Sequence, residues 1–384
     1  MPYFNNPKIR AIFIQSLIVI IFALFFLYIN ENITHNLHKR GIKSGFDFLG
    51  TQAGFDIIMS IIPYDSTSTY GRVFVVGLLN TILVSVAGIF FATILGFLAG
   101  IGSLSNNWLI HKLSVVYVNI FRNVPLLLQI MFWYFLLIST LPEVKNTIIL
   151  GEIFYFNTQG ILTPKLIFGN NFLFVFIVFI LSIFIVISLN RVNKRFDKKF
   201  SKRIPLFWID ILIIIFLPIL AFLVLDSPVS LKHPQLGSFR YSGGFKIIPE
   251  FLALCFALTI YTGAYISEQV RAGILSVSYG QIEAAKTIGL NKFMILRFVT
   301  IPQAMKVITP PLISQYLNLI KNSSLAATIG YPDLVSIFMG TTLNQSGQAI
   351  EIVFITMCVY LSLSLLTSAF LNWYNKKIVE REKR

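Results

Sequence analysis

The sequence predicts an all-α integral membrane protein with about eight transmembrane helices. Three observations carry that expectation. The chain is 56% hydrophobic and only 12% charged over 384 residues, with a mean hydropathy of +0.77, whereas soluble domains are about a quarter charged. The apolar residues fall in runs of about 20, the length a helix needs to cross the hydrocarbon core. The 31 Lys and Arg outnumber 16 Asp and Glu, and the basic residues gather at the edges of the apolar runs, as the positive-inside rule expects. That placement, with no DNA- or RNA-binding motif beside it, assigns the +15 charge to membrane topology and not to nucleic acid. Membrane lipid is the implied surrounding.

The first run, 11–29, follows Lys8 and Arg10. It is too long for a signal peptide and has no small-residue cleavage site, so it reads as a retained span. Residues 30–70 form the largest outer loop. Within it GFDFLGTQAGFDI (45–57) mixes Phe46, Phe48, Phe55, Ile57 and Ile58 with Asp47 and Asp56. Such a segment either lies in the membrane interface or packs as a loop. The second run, 73–102, holds Gly96-Phe-Leu-Ala-Gly100, a GxxxG spacing that permits close helix packing.

The third run, 113–140, contains FRNVPLLLQ, with Arg122, Asn123, Pro125 and Gln129. Proline bends a helix and frees carbonyls that must be satisfied nearby. Arg122 either meets a carboxylate in a polar cavity or sits near the cytoplasmic end and snorkels to the interface; depth favours the second. Runs at 171–190, 207–226 and 248–268 follow. The seventh, 305–325, is the least hydrophobic. Pro310-Pro311 should break or kink it, and Gln315, Asn318 and Asn322 recur three and four apart on one face. Such a face either lines a pathway or hydrogen-bonds between helices. The eighth run is 350–374.

Charge sets the orientation. With the N-terminus in the cytoplasm, the inner segments hold 20 Lys and Arg and the outer ones 10, with Arg122 unassigned. Both termini are then cytoplasmic, and RVNKRFDKKFSKR (191–203) carries most of the bias as an inner anchor.

Catalytic signatures are missing from the sequence. Gly41, Lys43 and Ser44 resemble the end of a phosphate-binding loop, but no glycine stands five residues earlier and no strand precedes them. There is no HExxH, CxxC or GxSxG. His35, His38, His111 and His233 are scattered, and Cys255 and Cys358 lie inside apolar runs. No catalytic residue, metal site or cofactor is expected.

The stretch 268–333 is different: polar, periodic and flanked by apolar segments. Gln281–Ile288 is a run of helix formers that stops at Gly289, a natural left-handed cap. A second piece, NKFMILRFVTI, should end at Pro302. Ala284 and Ala285 are small enough to let another surface approach, and Glu283 and Lys286 are free for polar contacts. Two short helices with a glycine corner form a protruding knob.

This loop resembles the "EAA" coupling loop of ABC import permeases. FRNVPLLLQ (121–129), GAYISEQVRAGI (263–274), GQIEAAKTIGL (280–290), IPQA (301–304) and PPLISQYLNLIKNSSLAATIGYPDL (310–334) are similar to polar amino-acid permeases. The N-terminal span, the 45–57 loop and FWYF (132–135) resemble the larger general L-amino acid permeases. The resemblance implies a five-helix ABC importer permease core within 71–384, preceded by an N-terminal helix and periplasmic loop (1–70), with inserted helices at about 171–226 and a coupling loop at about 271–304. It implies that Gly280, Glu283, Ala284, Ala285, Gly289 and Pro302 form the ATPase-docking motif. Ser278-Tyr279 departs from the usual proline-containing step before Gly280. The candidate substrate pathway is Arg122, Asn123, Gln129, Gln315, Asn318 and Asn322, which the motif itself does not define. The implied partners are cytoplasmic ABC ATPase subunits, a second related permease in a heterodimer, a periplasmic amino-acid-binding protein and an L-amino acid substrate, at the bacterial inner membrane. The rivals are an ion-driven secondary transporter, needing an intramembrane carboxylate such as Glu268 or Glu351, and a non-transporting scaffold.

Overall fold

The computed structural model describes residues 7–39, 45–169, 171–200, 207–225, 229–237 and 240–381. Gly41–Ser44 and residues 201–203 lie outside that set. So do the side chains of Lys8, of most of the basic run 191–203 and of the basic residues from Lys376 on. The chain forms two compact units, residues 1–137 with 250–384, and residues 138–249.

In the first unit, α1 (Pro7–Lys39) is exposed on every side from Phe13 to Tyr28, as a helix that is apolar all round must be when lipid is its solvent. The 45–69 segment is a packed loop. Phe48, Ala53, Tyr70, Leu334 and Phe338 form one buried cluster, and Tyr64 donates to the Phe55 carbonyl at 2.8 Å. Burial and the neighbouring Asp56 and Asp65 push the Tyr64 phenol up to about 12. The interfacial alternative for 45–57 is therefore not the one adopted.

Helix α2 (Tyr70–Gly102) is capped by Thr69. Its buried face repeats small residues at helical spacing: Gly77, Thr81, Ser85, Gly88, Ala92, Gly96 and Gly100. A Cβ on Gly96 would lie 2.5 Å from Ile266, and one on Gly100 would lie 2.7 Å from Val270. The GxxxG spacing is thus used, against α7 (Pro249–Leu275).

The expected third span is not one helix. It consists of α3 (Trp108–Asn123) and α4 (Leu126–Thr140), bent by 107°. After α7 come α8 (Tyr279–Thr287) and α9 (Lys292–Ile295). A π-helical turn, Leu296–Thr300, then runs into α10 (Ile301–Asn322). The expected stop at Pro302 does not occur, and of the break or kink expected at Pro310-Pro311 the break does not occur. Pro302 falls in the first turn of α10, where its missing N–H costs little, and both later prolines lie inside one continuous helix.

Beyond α10, Ser323–Ile329 and a π-helical segment, Leu334–Thr342, lead through α11 (Leu343–Ser346) to α12 (Ala349–Arg381). Buried polar bonds pin this segment to α2. Asn80 donates to the Met59 and Pro332 carbonyls at 2.9 and 2.8 Å, and Leu334 N–H donates to Thr81 Oγ1 at 3.0 Å. Asp333 accepts from Ser336 N–H at 2.8 Å; burial outweighs its hydrogen bonds and pushes its carboxyl up to about 7.

The second unit holds α5 (Phe172–Phe200) and α6 (Phe207–Val224), packed as a pair with Asn190 donating to Asp210 at 2.7 Å. It also holds strands that the all-α expectation omitted. β1 (Ile148–Leu150), β2 (Phe154–Asn157), β3 (Gly160–Thr163) and β8 (Phe245–Ile247) form an antiparallel sheet in the order β1-β2-β3-β8. β4 (Lys165–Phe168) pairs with β5 (Val229–Lys232), and β6 (Gln235–Leu236) with β7 (Tyr241–Ser242). The described structure is still mostly helical.

Among the described residues four helices are long and apolar enough to cross a membrane, five if the bent pair counts as one span. The tally of eight is not reproduced. Within the described residues the apolar stretches of α1 and α6 cover Phe13–Ile29 and Trp208–Val224, and α10 carries many polar groups.

Candidate functional site

The knob is built as its residue types dictate. Helix α8 ends on a Schellman motif: Gly289 N–H donates to the Lys286 carbonyl at 2.9 Å, and Leu290 N–H donates to the Ala285 carbonyl at 3.2 Å. Gly289 has φ +84°, with nothing within 4 Å of a would-be Cβ. The demand on this residue is therefore conformational and not spatial. Gly280, Glu283 and Ala284 are exposed. Ala285, expected beside Ala284 on the approachable surface, is instead buried, because consecutive helical positions point about 100° apart. Glu283 makes no ion pair among the described residues, whereas Lys286 lies over the Tyr279 ring at 5.6 Å. Large apolar side chains surround this polar patch in the open: Leu275, Tyr279, Ile288, Phe293 and Phe298. Pro302 is half-buried behind them.

At the α3–α4 break, Pro125 cannot donate to the Phe121 carbonyl, and Val124 is extended, as a residue before proline prefers. Gln129 compensates. Its Nε2 donates to the Phe121 and Val124 carbonyls, both at 2.9 Å, from a side chain only 4% exposed. Asn123 turns back to its own helix, donating to the Asn119 carbonyl at 2.7 Å.

Arg122 meets the carboxylate that depth argued against. It lies 3.5 Å from Glu268, which also pairs with Arg271 at 3.8 Å, and it covers the Tyr265 ring at 5.2 Å. The side chains of Arg122 and Glu268 remain 39% exposed. Glu268 and Tyr265 were not singled out as partners in the sequence; the only signal was a carboxylate and an aromatic ring at helical spacing, far along the chain.

On α10, Ala304, Ile308, Leu312 and Leu319 are buried. Asn318 is exposed, and Gln315 and Asn322 are half-buried; the three share one side of the helix, as their spacing predicts. The structure therefore yields three separate polar places: the knob, the ionic pair beside the α3–α4 break, and the α10 face.

The family model for the binding-protein-dependent transport system inner membrane component matches residues 200–380. YhdX of Escherichia coli is 46% identical over 99% of this chain and 97% of its own length. The general L-amino acid transport system permease protein AapQ of Rhizobium johnstonii is 47% identical over 98% and 94%. The glutamate/glutamine/aspartate/asparagine transport system permease protein BztB of Rhodobacter capsulatus is 38% identical over 98% and 96%. A crystal structure of an amino acid ABC transporter with histidines aligns at 19% identity with a TM-score of 0.47, covering 80% of this chain and 95% of that one. The chain belongs to the family of binding-protein-dependent transport system inner membrane components, as a permease subunit of an ABC transporter.

Proposed function

We propose that this permease imports L-amino acids, pairs with a second related permease, and receives its substrate from a periplasmic binding protein. ATP is hydrolysed by separate cytoplasmic subunits that dock on the α8–Gly289–α9 knob. Both termini face the cytoplasm of a bacterial inner membrane. The substrate class follows the names of AapQ and BztB, and the orientation follows the basic-residue bias.

The knob carries the reading. Glu283, without an ion pair among the described residues, and exposed Tyr279, Ile288, Phe293 and Phe298 form a mixed apolar and polar patch of the kind that marks a protein contact. Gly280, Glu283 and Ala284 supply its outer surface; Ala285, Gly289 and Pro302 shape it from within. Movement of a docked ATPase then biases the spans through α9, the π-helical turn and α10, a continuous helical path. The side chains of Gln315, Asn318 and Asn322 make no hydrogen bond among the described residues, which suits a pathway wall. Arg122 and Asn123, a separate polar place within this chain, belong to the same pathway in our reading, and Gln129 serves it indirectly by holding the break. An ion-driven transporter is disfavoured because its two candidate carboxylates are engaged: Glu268 by two arginines and Glu351 by Gly45 N–H at 2.8 Å.

The test is recovery of an ATPase subunit with the full-length chain in mild detergent, wild type against Gly289→Asp, together with amino-acid uptake into vesicles. ATPase recovered with wild type and lost with the variant, and uptake that needs ATP, support the reading. Uptake driven by an ion gradient with no ATPase bound would sink it.

A further inference from the structure

The second unit contains a cleft of about 510 Å³ lined by Lys165, Leu166, Ile167, Phe168, Lys232 and the Gly243-Gly244 pair. We propose that this cleft holds the phosphate of an anionic phospholipid at the strand-bearing end of the α5–α6 hairpin.

The β4–β5 register places Lys165 directly opposite Lys232. Like charges facing each other across an antiparallel pair destabilise it. Neither lysine has an ion pair or hydrogen bond among the described residues, and no carboxylate lines the cleft. A bound anion between the two ammonium groups removes that repulsion. The glycines shape the floor. Gly243 and Gly244 have φ +77° and +70°, and a Cβ on Gly244 would lie 2.7 Å from Pro234 Cγ and the Thr163 carbonyl oxygen. The aliphatic stem of Lys232 lies alongside Gly243, with Cε 3.6 Å from a would-be Cβ there.

Position and polarity select a lipid over a free anion. The β4–β5 ladder adjoins the apolar hairpin, with the Phe168 ring 4.3 Å from that of Phe172 in the first turn of α5 and tilted by 40°. Lys165 lies three residues beyond Phe168, about 10 Å at ~3.4 Å per residue. The polar zone on each side of a bilayer is roughly 5–8 Å deep, so the extended lysine chains reach the phosphate level. Leu166, Ile167, Phe168 and Leu231 are exposed on the ladder. Those side chains suit the headgroup–acyl boundary. The cleft is cationic where a phosphate would sit and apolar where the acyl chains begin.

The experiment is native mass spectrometry of the full-length chain in detergent, titrated with dioleoylphosphatidylglycerol or dioleoylphosphatidylcholine. Wild type should prefer the anionic lipid. Each lysine removed should weaken that binding about fivefold, and Lys165→Gln with Lys232→Gln about 30-fold. Phosphatidylcholine binding should not change. Lys145→Gln, an exposed lysine outside the cleft, should leave the preference intact, and Lys165→Arg with Lys232→Arg should retain it. Equal binding of phosphatidylglycerol by wild type and the double glutamine variant overturns the proposal, as does a wild type with no preference. Loss of the bound lipid to a few millimolar inorganic phosphate assigns the cleft to a free anion and overturns the lipid assignment. Should the glutamine variant fail to fold, salt decides on wild type alone: the preference should vanish by about 0.5 M salt, where screening is strong, and a preference that survives there overturns the proposal.

Discussion

Pro125 and the Pro310-Pro311 pair both delete backbone donors from helices of the first unit, and the two sites respond in opposite ways. At Pro125 the chain turns through 107°; across Pro310-Pro311 helix α10 continues unbroken. The donor loss is comparable, so the surroundings make the difference. Pro125 frees the Phe121 carbonyl, and Val124 leaves the helix with its own carbonyl unpaired. Gln129, one turn on, is placed to serve both. Pro310 and Pro311 have no N–H to give the carbonyls of Lys306 and Val307, residues on an exposed part of α10. The opposite face, Ala304, Ile308, Leu312 and Leu319, is buried, and keeping it buried requires the helix to stay whole. Burial of that face offsets a cost of up to about 3 kcal/mol for each proline. A proline breaks a helix here where a side chain rescues the break, and is carried where packing holds the helix.

The sharpest challenge to that comparison is Gln129→Leu. It removes the donor to the Phe121 and Val124 carbonyls, from a half-buried and an exposed residue, at about 0.5–1.5 kcal/mol each. A fall of several degrees in the detergent unfolding temperature is expected, with less monodisperse protein recovered. An unchanged melting profile would mean that Gln129 does not hold the break.

Gly289 ends a helix in a third way, by left-handed backbone alone. Gly289→Val should cost about 1–3 kcal/mol locally through strain, because no clash awaits a side chain there. The overall unfolding temperature should move little while ATPase recovery drops. Full recovery would show that the turn tolerates another backbone.

Pro125→Ala restores a donor to Phe121. The bend should nevertheless persist, because Ile130 is buried and Trp133 packs edge-on to Phe256 at 4.6 Å. At ~1.5 Å per residue the outer ends of α3 and α4 should stay about 27 Å apart, against about 46 Å if straight. Spin-label distances across the pair would report a straightened helix and assign the angle to the proline.

The smallest effect belongs to Pro310→Ala. It should stabilise by about 1 kcal/mol or less, since a donor is regained in a helix that already exists. A drop in stability would show that the proline contributes packing that the comparison leaves out.

Much of the site was legible in the chain because its determinants are local. Gly289 closes α8 through hydrogen bonds spanning only five residues, so Glu283-Ala-Ala-Lys-Thr-Ile-Gly289 carries its own instructions. Gln315, Asn318 and Asn322 share one side of α10 because helical periodicity alone puts them there. The inward turn of Ala285 was within reach of the same periodicity, but which side of α8 would be covered was not. Strands β3 and β8 pair Ile161 with Ile247. Pieces of three or four residues, joined across so long an interval, leave no periodic signature strong enough to see. The Arg122–Glu268 pair likewise joins two helices far apart in the chain, and depth along a helix says nothing about which neighbour faces it.

The amino-acid sequence by itself determined that this chain lives in a membrane, where its basic edges lie, and that a glycine-cornered knob follows α7. Composition, charge placement and short-range backbone preference act over fewer than about 20 residues, the length of one span. Only the tertiary structure decided that one proline breaks a span and two others do not. It also decided that the 45–69 loop packs beneath α12 residues such as Ile352, that Arg122 finds Glu268, and that Lys165 faces Lys232 in a ladder. Each of those outcomes depends on which distant surface covers a residue, and burial and donor supply are properties of the assembled fold.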